Sequence, residues 1–143
     1  MTPRWWWRRL RGQVGSAALN PDAADLVVVA TSFDDAEACS AVLARATAWQ
    51  PDAPAVLRHH LRVPAEQVER VCAIAAQDGY APAEQSEAAG SDDLAPVILQ
   101  RVQVLDALHC SQERSRMAGL AQRHDGTADG WDALQPGHTT EQQ

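Results

Sequence analysis

Ala55-Val-Leu-Arg-His-His-Leu-Arg-Val63 is the stretch whose reading decides the fold. In an extended chain Leu57, His59, Leu61 and Val63 fall on one side, and Val56, Arg58, His60 and Arg62 on the other. Alternation of this kind predicts a strand with one buried face. Downstream, Pro64 suits a helix's first turn, Val68, Val71, Cys72 and Ala75 recur at helical spacing, and Gly79 is placed to end that helix with a positive φ. Tyr80 to about Glu84 reads as a short strand and residues 85–95 as a polar connecting loop. Pro96 to Leu105 is the next strand, with its proline expected at the first position because a proline inside removes a ladder donor. Asp106 or Ser111 opens a helix reaching about His124, with Cys110, Met117, Leu120, Ala121 and His124 on one face, and Asp125-Gly126 ends it. A last strand, Ala128 to Leu134, carries Asp129-Gly130-Trp131.

Strand, helix, strand, strand, helix, strand is the split β-α-β order, so the expected class is α+β, a ferredoxin-like two-layer α/β sandwich. Upstream lies an extra N-terminal strand and helix. The β-branched run Leu26 to Thr31 supplies the strand. Ala36, Cys39, Val42, Leu43 and Ala46 supply a helix from about Asp35 to Trp49, with Ser32 or an Asp just after it as N-cap and Pro51 as its stop. Whether the extra strand joins the sheet edge is open at this level. The expected organisation is a flexible Trp- and Arg-rich leader over 1–24, one domain over 25–134 and a polar, disordered tail over 135–143.

A chain of 143 residues with 45% hydrophobic and 22% charged residues supports one modest core. All 12 basic residues are arginine, so chemistry that needs a lysine amine, Schiff-base catalysis or a P-loop, is excluded. The net charge of −7 is uneven: Arg4, Arg8, Arg9 and Arg11 leave a remainder with 8 basic against 19 acidic residues. Such an acidic body repels duplex nucleic acid at long range. Cys39, Cys72 and Cys110 are odd in number, far apart and set among apolar residues, which points to buried reduced thiols. Apolar runs such as Leu26 to Ala30 are too short to span a bilayer and no signal-peptide stretch follows the basic leader, so a cytoplasmic location is expected. Trp5-Trp6-Trp7 before Arg8-Arg9 suits a membrane interface or a nucleic-acid strand, against the plainer reading of an unstructured leader.

His59 and His60 are the tempting pair for metal or acid-base work, but neighbours on a strand point to opposite faces and do not converge on one ion. No metal or other cofactor is expected. Arg58, His60 and Arg62 share the exposed face, and Arg101 and Gln103 add to it if the two strands are neighbours, making a basic sheet face on an acidic protein. That face reads as a docking surface for an acidic peptide or for phosphates, against a plain solvated face. With no Phe, Tyr or Trp in the two strands, protein binding is favoured over RNA stacking. Asp129 and Trp131 offer a recognition element, against the commoner packing of a terminal-strand Trp over a helix. Asp34-Asp35 and Asp92-Asp93 fall where caps and turns use them. No Ser-His-Asp or Cys-His order, phosphate loop or Cys-X-X-Cys is present.

Three motifs sit where the fold order places them: Arg58-His59-His60-Leu61 in the first ferredoxin-like strand, Gly79-Tyr80 at the helix-to-strand junction and Asp129-Gly130-Trp131 in the last strand. Together they resemble the RraB family, regulators of ribonuclease E activity, over about residues 36–134. The resemblance implies a small non-catalytic protein that binds an RNase E-type endoribonuclease and lowers its activity on particular transcripts. On that reading the partner-binding residues are Arg58, His60, Arg62, Arg101, Asp129 and Trp131. The chain departs from the family in its Trp- and Arg-rich leader and in lacking a long acidic C-terminal tail. Two alternatives stand beside it: an interaction module of the same fold with another partner, and a small enzyme using His59, His60 or His109 as acid or base.

Overall fold

A computed structural model describes residues 19–83 and 94–137. The elements run β1 (Leu26–Ser32), α1 (Cys39–Arg45), β2 (Pro54–Pro64), a 3-10 turn (Ala65–Gln67), α2 (Val68–Ala76), β3 (Ala81–Pro82), β4 (Leu94–Val104), α3 (Ala107–Arg123) and β5 (Thr127–Pro136). They form one five-stranded antiparallel sheet in the order β1-β5-β2-β4-β3. Without β1, the order β5-β2-β4-β3 is that of the ferredoxin-like sandwich, and β1 joins its edge through β5. The fold is thus the expected α+β sandwich with an added strand and helix.

Alternation along β2 builds the core. Ala55, Leu57, Leu61 and Val63 are all under 2% exposed and face the helices, feeding two apolar clusters. The first gathers Ala30, Val42, Leu43, Leu57, Leu105, Cys110 and Trp131 under α1 and the start of α3. The second gathers Leu61, Val63, Val71, Tyr80, Leu99, Met117 and Leu120 under α2 and the rest of α3. His59 lies between them, paired with Leu99 on β4 and Trp131 on β5. Each fully buried Leu, Val or Met contributes roughly 1.5–3 kcal/mol relative to exposure.

The opposite face carries no helix among the described residues. Pro21 and Asp22, in the segment before β1, border one open cleft with Ala81, Pro82, Ala83 and Gln100 at the β3 edge of the sheet. Gly137 N–H bonds the Asp25 carbonyl at 2.8 Å and ties that segment to the end of β5. The expectation of a flexible leader over residues 1–24 falls otherwise on residues 1–18, which lie outside the described residues.

Local chemistry accounts for where elements depart from expectation. The first helix is only Cys39–Arg45, not 35–49, and Ala38 stands at its N-cap with no side-chain bond. The polar residues expected to cap it are spent on the preceding turn: Asp34 Oδ1 accepts from Ala36 N–H at 2.9 Å and Ser32 Oγ bonds Glu37 Oε1 at 2.9 Å. Pro96 is the third residue of β4, not the first, opposite Arg62. It is tolerated because β3 pairs only with Leu99 and Gln100, so no described strand needs a donor beyond it. β5 runs to Pro136 rather than ending at Leu134, and the expected tail residue Gln135 is 2% exposed. Its amide accepts from Gln50 N–H at 2.9 Å and donates to Gln50 O at 3.0 Å, which places it in the fold rather than in a disordered tail. Gly79 has φ +86° at the junction of α2 with β3, as expected. The α3 helix is capped by Asp106, whose carboxylate accepts from His109 N–H at 2.8 Å.

Candidate sheet-face interface

Register decides which predicted residues meet. Arg58 pairs with Asp132, His60 with Gly130 and Arg62 with Thr127 across β2 and β5, all on the helix-free face. Arg58 Nε donates to Asp132 Oδ1 at 3.0 Å, and His60 Nε2 lies 3.0 Å from Asp132 Oδ2. Arg62 Nε donates to Asp129 Oδ2 at 2.7 Å, and Thr127 Oγ1 donates to Asp129 Oδ1 at 3.0 Å. Asp132 is nearly buried. Burial pushes its carboxyl pKa up, but the hydrogen bonds from His60 and Arg58, with their charges, outweigh that and hold it below the usual range.

The basic sheet face read from the sequence is therefore a ladder of paired charges: two arginines against two aspartates. Asp132, three residues beyond Asp129, was missed because only the β2–β5 register brings it under Arg58. Strand alternation alone places Gly130 and Asp132 on one face and was the available signal.

Phe33 is the second omission, and no periodic pattern announces it. It is the single phenylalanine of the chain, 56% exposed, just past β1. Its ring packs on His60 with centroids 5.0 Å apart. It also lies over Gly130, where a Cβ would collide with the ring, so the glycine both permits the close approach and sits at the β5 bulge opposite His60 and Leu61.

Arg101 and Gln103 do not join this face. β4 does neighbour β2, but Arg101 pairs with Leu57 and Gln103 with Ala55, which puts both on the helix side. There Arg101 lies over the Tyr80 ring at 4.5 Å, donates to Asp78 O at 2.7 Å and stands 3.4 Å from Glu113 Oε2. Tyr80 Oη donates to Glu113 Oε1 at 2.7 Å. Burial and that bond push the Tyr80 pKa up. Burial likewise raises Glu113, but Tyr80, Arg101 and Arg116 together bring its carboxyl below the usual range. This is a satisfied structural network. Trp131, 1% exposed, packs on the helix side opposite His59 and presents no surface to a partner.

His59 and His60 diverge as expected of strand neighbours. His59 is 2% exposed, meets Tyr80 edge-on at 5.6 Å, and burial pushes its pKa down to about 4, so it is neutral near pH 7. Among the described residues the His109 side chain bonds its own cap residue Asp106. Among the described residues no three His, Cys, Asp or Glu side chains gather as a metal site. Cys39 and Cys110 are buried free thiols in the first core cluster, and Cys72 is a half-buried one. Among the described residues no helix is long and apolar enough to cross a membrane.

A family model described as "Regulator of ribonuclease activity B" matches residues 34–133. The match runs from the turn before α1 into β5 and leaves out β1. No curated protein matches the chain.

Proposed function

This chain belongs to the RraB family, whose description is that of a regulator of ribonuclease activity, and on that premise we propose that it binds and inhibits an endoribonuclease of the RNase E type without catalysing a reaction itself. The observation that carries the choice of surface is the exposed Phe33 set against the Arg62–Asp129 pair on the helix-free face. An exposed aromatic ring ringed by polar groups is the composition of an interface anchor with its rim. The Arg62–Asp129 pair is partly exposed, so a partner can exchange it at small energetic loss, offering a guanidinium and a carboxylate for recognition. The Arg58–Asp132–His60 group is more deeply set and supports that end of the strand pair. On this reading Arg62, Asp129 and Phe33 touch the partner. Arg58 and His60 position them, while Arg101 and Trp131 act only by keeping the sheet packed.

A charge-balanced face with one aromatic ring is a poor match to a nucleic-acid strand, which needs net positive charge and stacked rings. The partner is therefore a protein surface. The cytoplasm, where such ribonucleases work, is the proposed location. The test is recovery of partners by the tagged chain from its host's lysate, with and without nuclease, compared between wild type and Phe33→Ala with Arg62→Glu. Nuclease-resistant recovery of an RNase E-type enzyme by the wild type, lost in the variant, is the expected result. Recovery of a different protein instead would reduce the chain to a binding module of the same fold.

A further inference from the structure

On the helix side, the junction of the two core clusters holds a recess of about 40 Å³ lined by His59, Trp131, Met117, Ala118, Ala128 and Gly130, with Asp35 and Arg114 at its mouth. Two of its lining groups carry buried nitrogen atoms with no hydrogen-bond partner, His59 Nε2 and Trp131 Nε1. Both residues are at least 98% buried, and they face each other across the β2–β5 ladder. A buried polar atom left unsatisfied costs about 1–3 kcal/mol, so two such nitrogens beside one small recess favour a polar guest there.

The recess is reached from outside. Asp35, Arg114, Ala118 and Ala128 also line a surface groove of about 440 Å³ between α3 and the start of β5, with Ser111, Ser115, Gln122, Gly126 and Thr127 along it. Ser111, Ser115, Ala118 and Gln122 recur at three- and four-residue steps on α3, a stripe roughly 16 Å long at 1.5 Å per residue. About five residues of extended chain cover that length. Arg114 fixes one lip, donating to Glu37 O at 2.6 Å and Asp34 O at 3.1 Å, so the 34–37 turn is held against α3.

We propose that this groove binds a short extended peptide segment, and that the recess takes the carboxamide of one of its Asn or Gln side chains. A carboxamide carries its acceptor and its donors on separate atoms, one for the Trp131 indole N–H and one for the His59 imidazole. A carboxylate is disfavoured: His59 is neutral near pH 7, Asp35 stands at the mouth, and both Arg114 terminal nitrogens already serve backbone carbonyls. The groove meets the sheet-face interface at its edge, where Asp35, Thr127 and Ala128 also border Phe33, Arg62 and Asp129, but the recess and its two nitrogens lie on the helix side and do not rest on that interface.

The test reads the Trp131 indole N–H and the His59 ring signals by NMR on the full chain, with Trp131 assigned from Trp131→Phe. Capped pentapeptides, alanine except for a central Gln, Glu or Ala, are titrated, and acetamide serves as the isolated group. The proposal expects saturable shifts of both signals with the Gln peptide, binding at least about tenfold tighter than the Glu and Ala peptides. Ala118→Leu, which fills the mouth from a half-buried helix position, should remove the shifts with the fold retained. Equal binding of the three peptides, unchanged binding by Ala118→Leu, or no shift in a folded protein overturns the site. Acetamide binding without any gain from the Gln peptide overturns the peptide as its occupant.

Discussion

His59 and His60 are covalent neighbours on the two faces of one sheet, and the faces treat them oppositely. Towards the helices, His59 is packed with Trp131, Leu99 and Tyr80 and is held neutral by burial. On the other face, His60 shares the Asp132 carboxylate with Arg58 and lies under an exposed aromatic ring. The difference teaches that on the helix-free face a buried carboxylate is held charged where strand register sets an arginine and a histidine against it. The helix side instead holds its polar groups as neutral or fully networked members of a core.

The contrast can be broken first at Trp131. Trp131→Ala should destabilise the fold by about 3–5 kcal/mol, because it removes the largest fully buried side chain, read as a lowered urea midpoint. A loss under about 1 kcal/mol would mean the helix side is not the packed one.

His59 sharpens it through pH. Its folded pKa, about 4, lies below the ordinary 6.5, so the unfolded chain takes up the proton first. The stability from keeping the ring neutral is therefore fully present above about pH 6.5 and is lost as pH falls through 4, a difference on the order of 3 kcal/mol. His59→Leu should flatten the stability curve across that window relative to wild type. The depressed carboxylates Asp132 and Glu113 are common to both proteins, and their own losses fall at lower pH than the His59 window.

On the other face the effects shrink. Asp132→Ala strands the half-buried Arg58 and His60 and should cost about 1–2 kcal/mol, measured in the same denaturant series. Arg62→Glu should change stability by less than about 1 kcal/mol, since its pair with Asp129 is partly exposed, while reducing partner recovery at least about tenfold. Undiminished recovery would move the docking surface elsewhere.

Alternation in 55–63 and in Pro96–Leu105, the helical stripes of α2 and α3, and the Gly79 turn were legible because each is a local pattern with a period of its own. The order of those elements named the sandwich, and its motifs named the family. The first helix was overextended because apolar spacing persists beyond Arg45 while the polar residues before Cys39 prefer turn bonds to a cap.

Amino-acid order by itself determined the strand and helix periods and which residues of β2 share a face, because these depend only on neighbours a few positions apart. Tertiary structure alone decided that β1 joins the sheet beside β5, that Arg101 faces the helices, that Asp132 and Asp129 neutralise the arginine ladder, and that His59 and Trp131 leave two nitrogens at one recess. Each of those outcomes turns on which strand lies alongside which and in what register. A shift of one residue moves every side chain of a strand to the other face, so no reading of a single strand contains it.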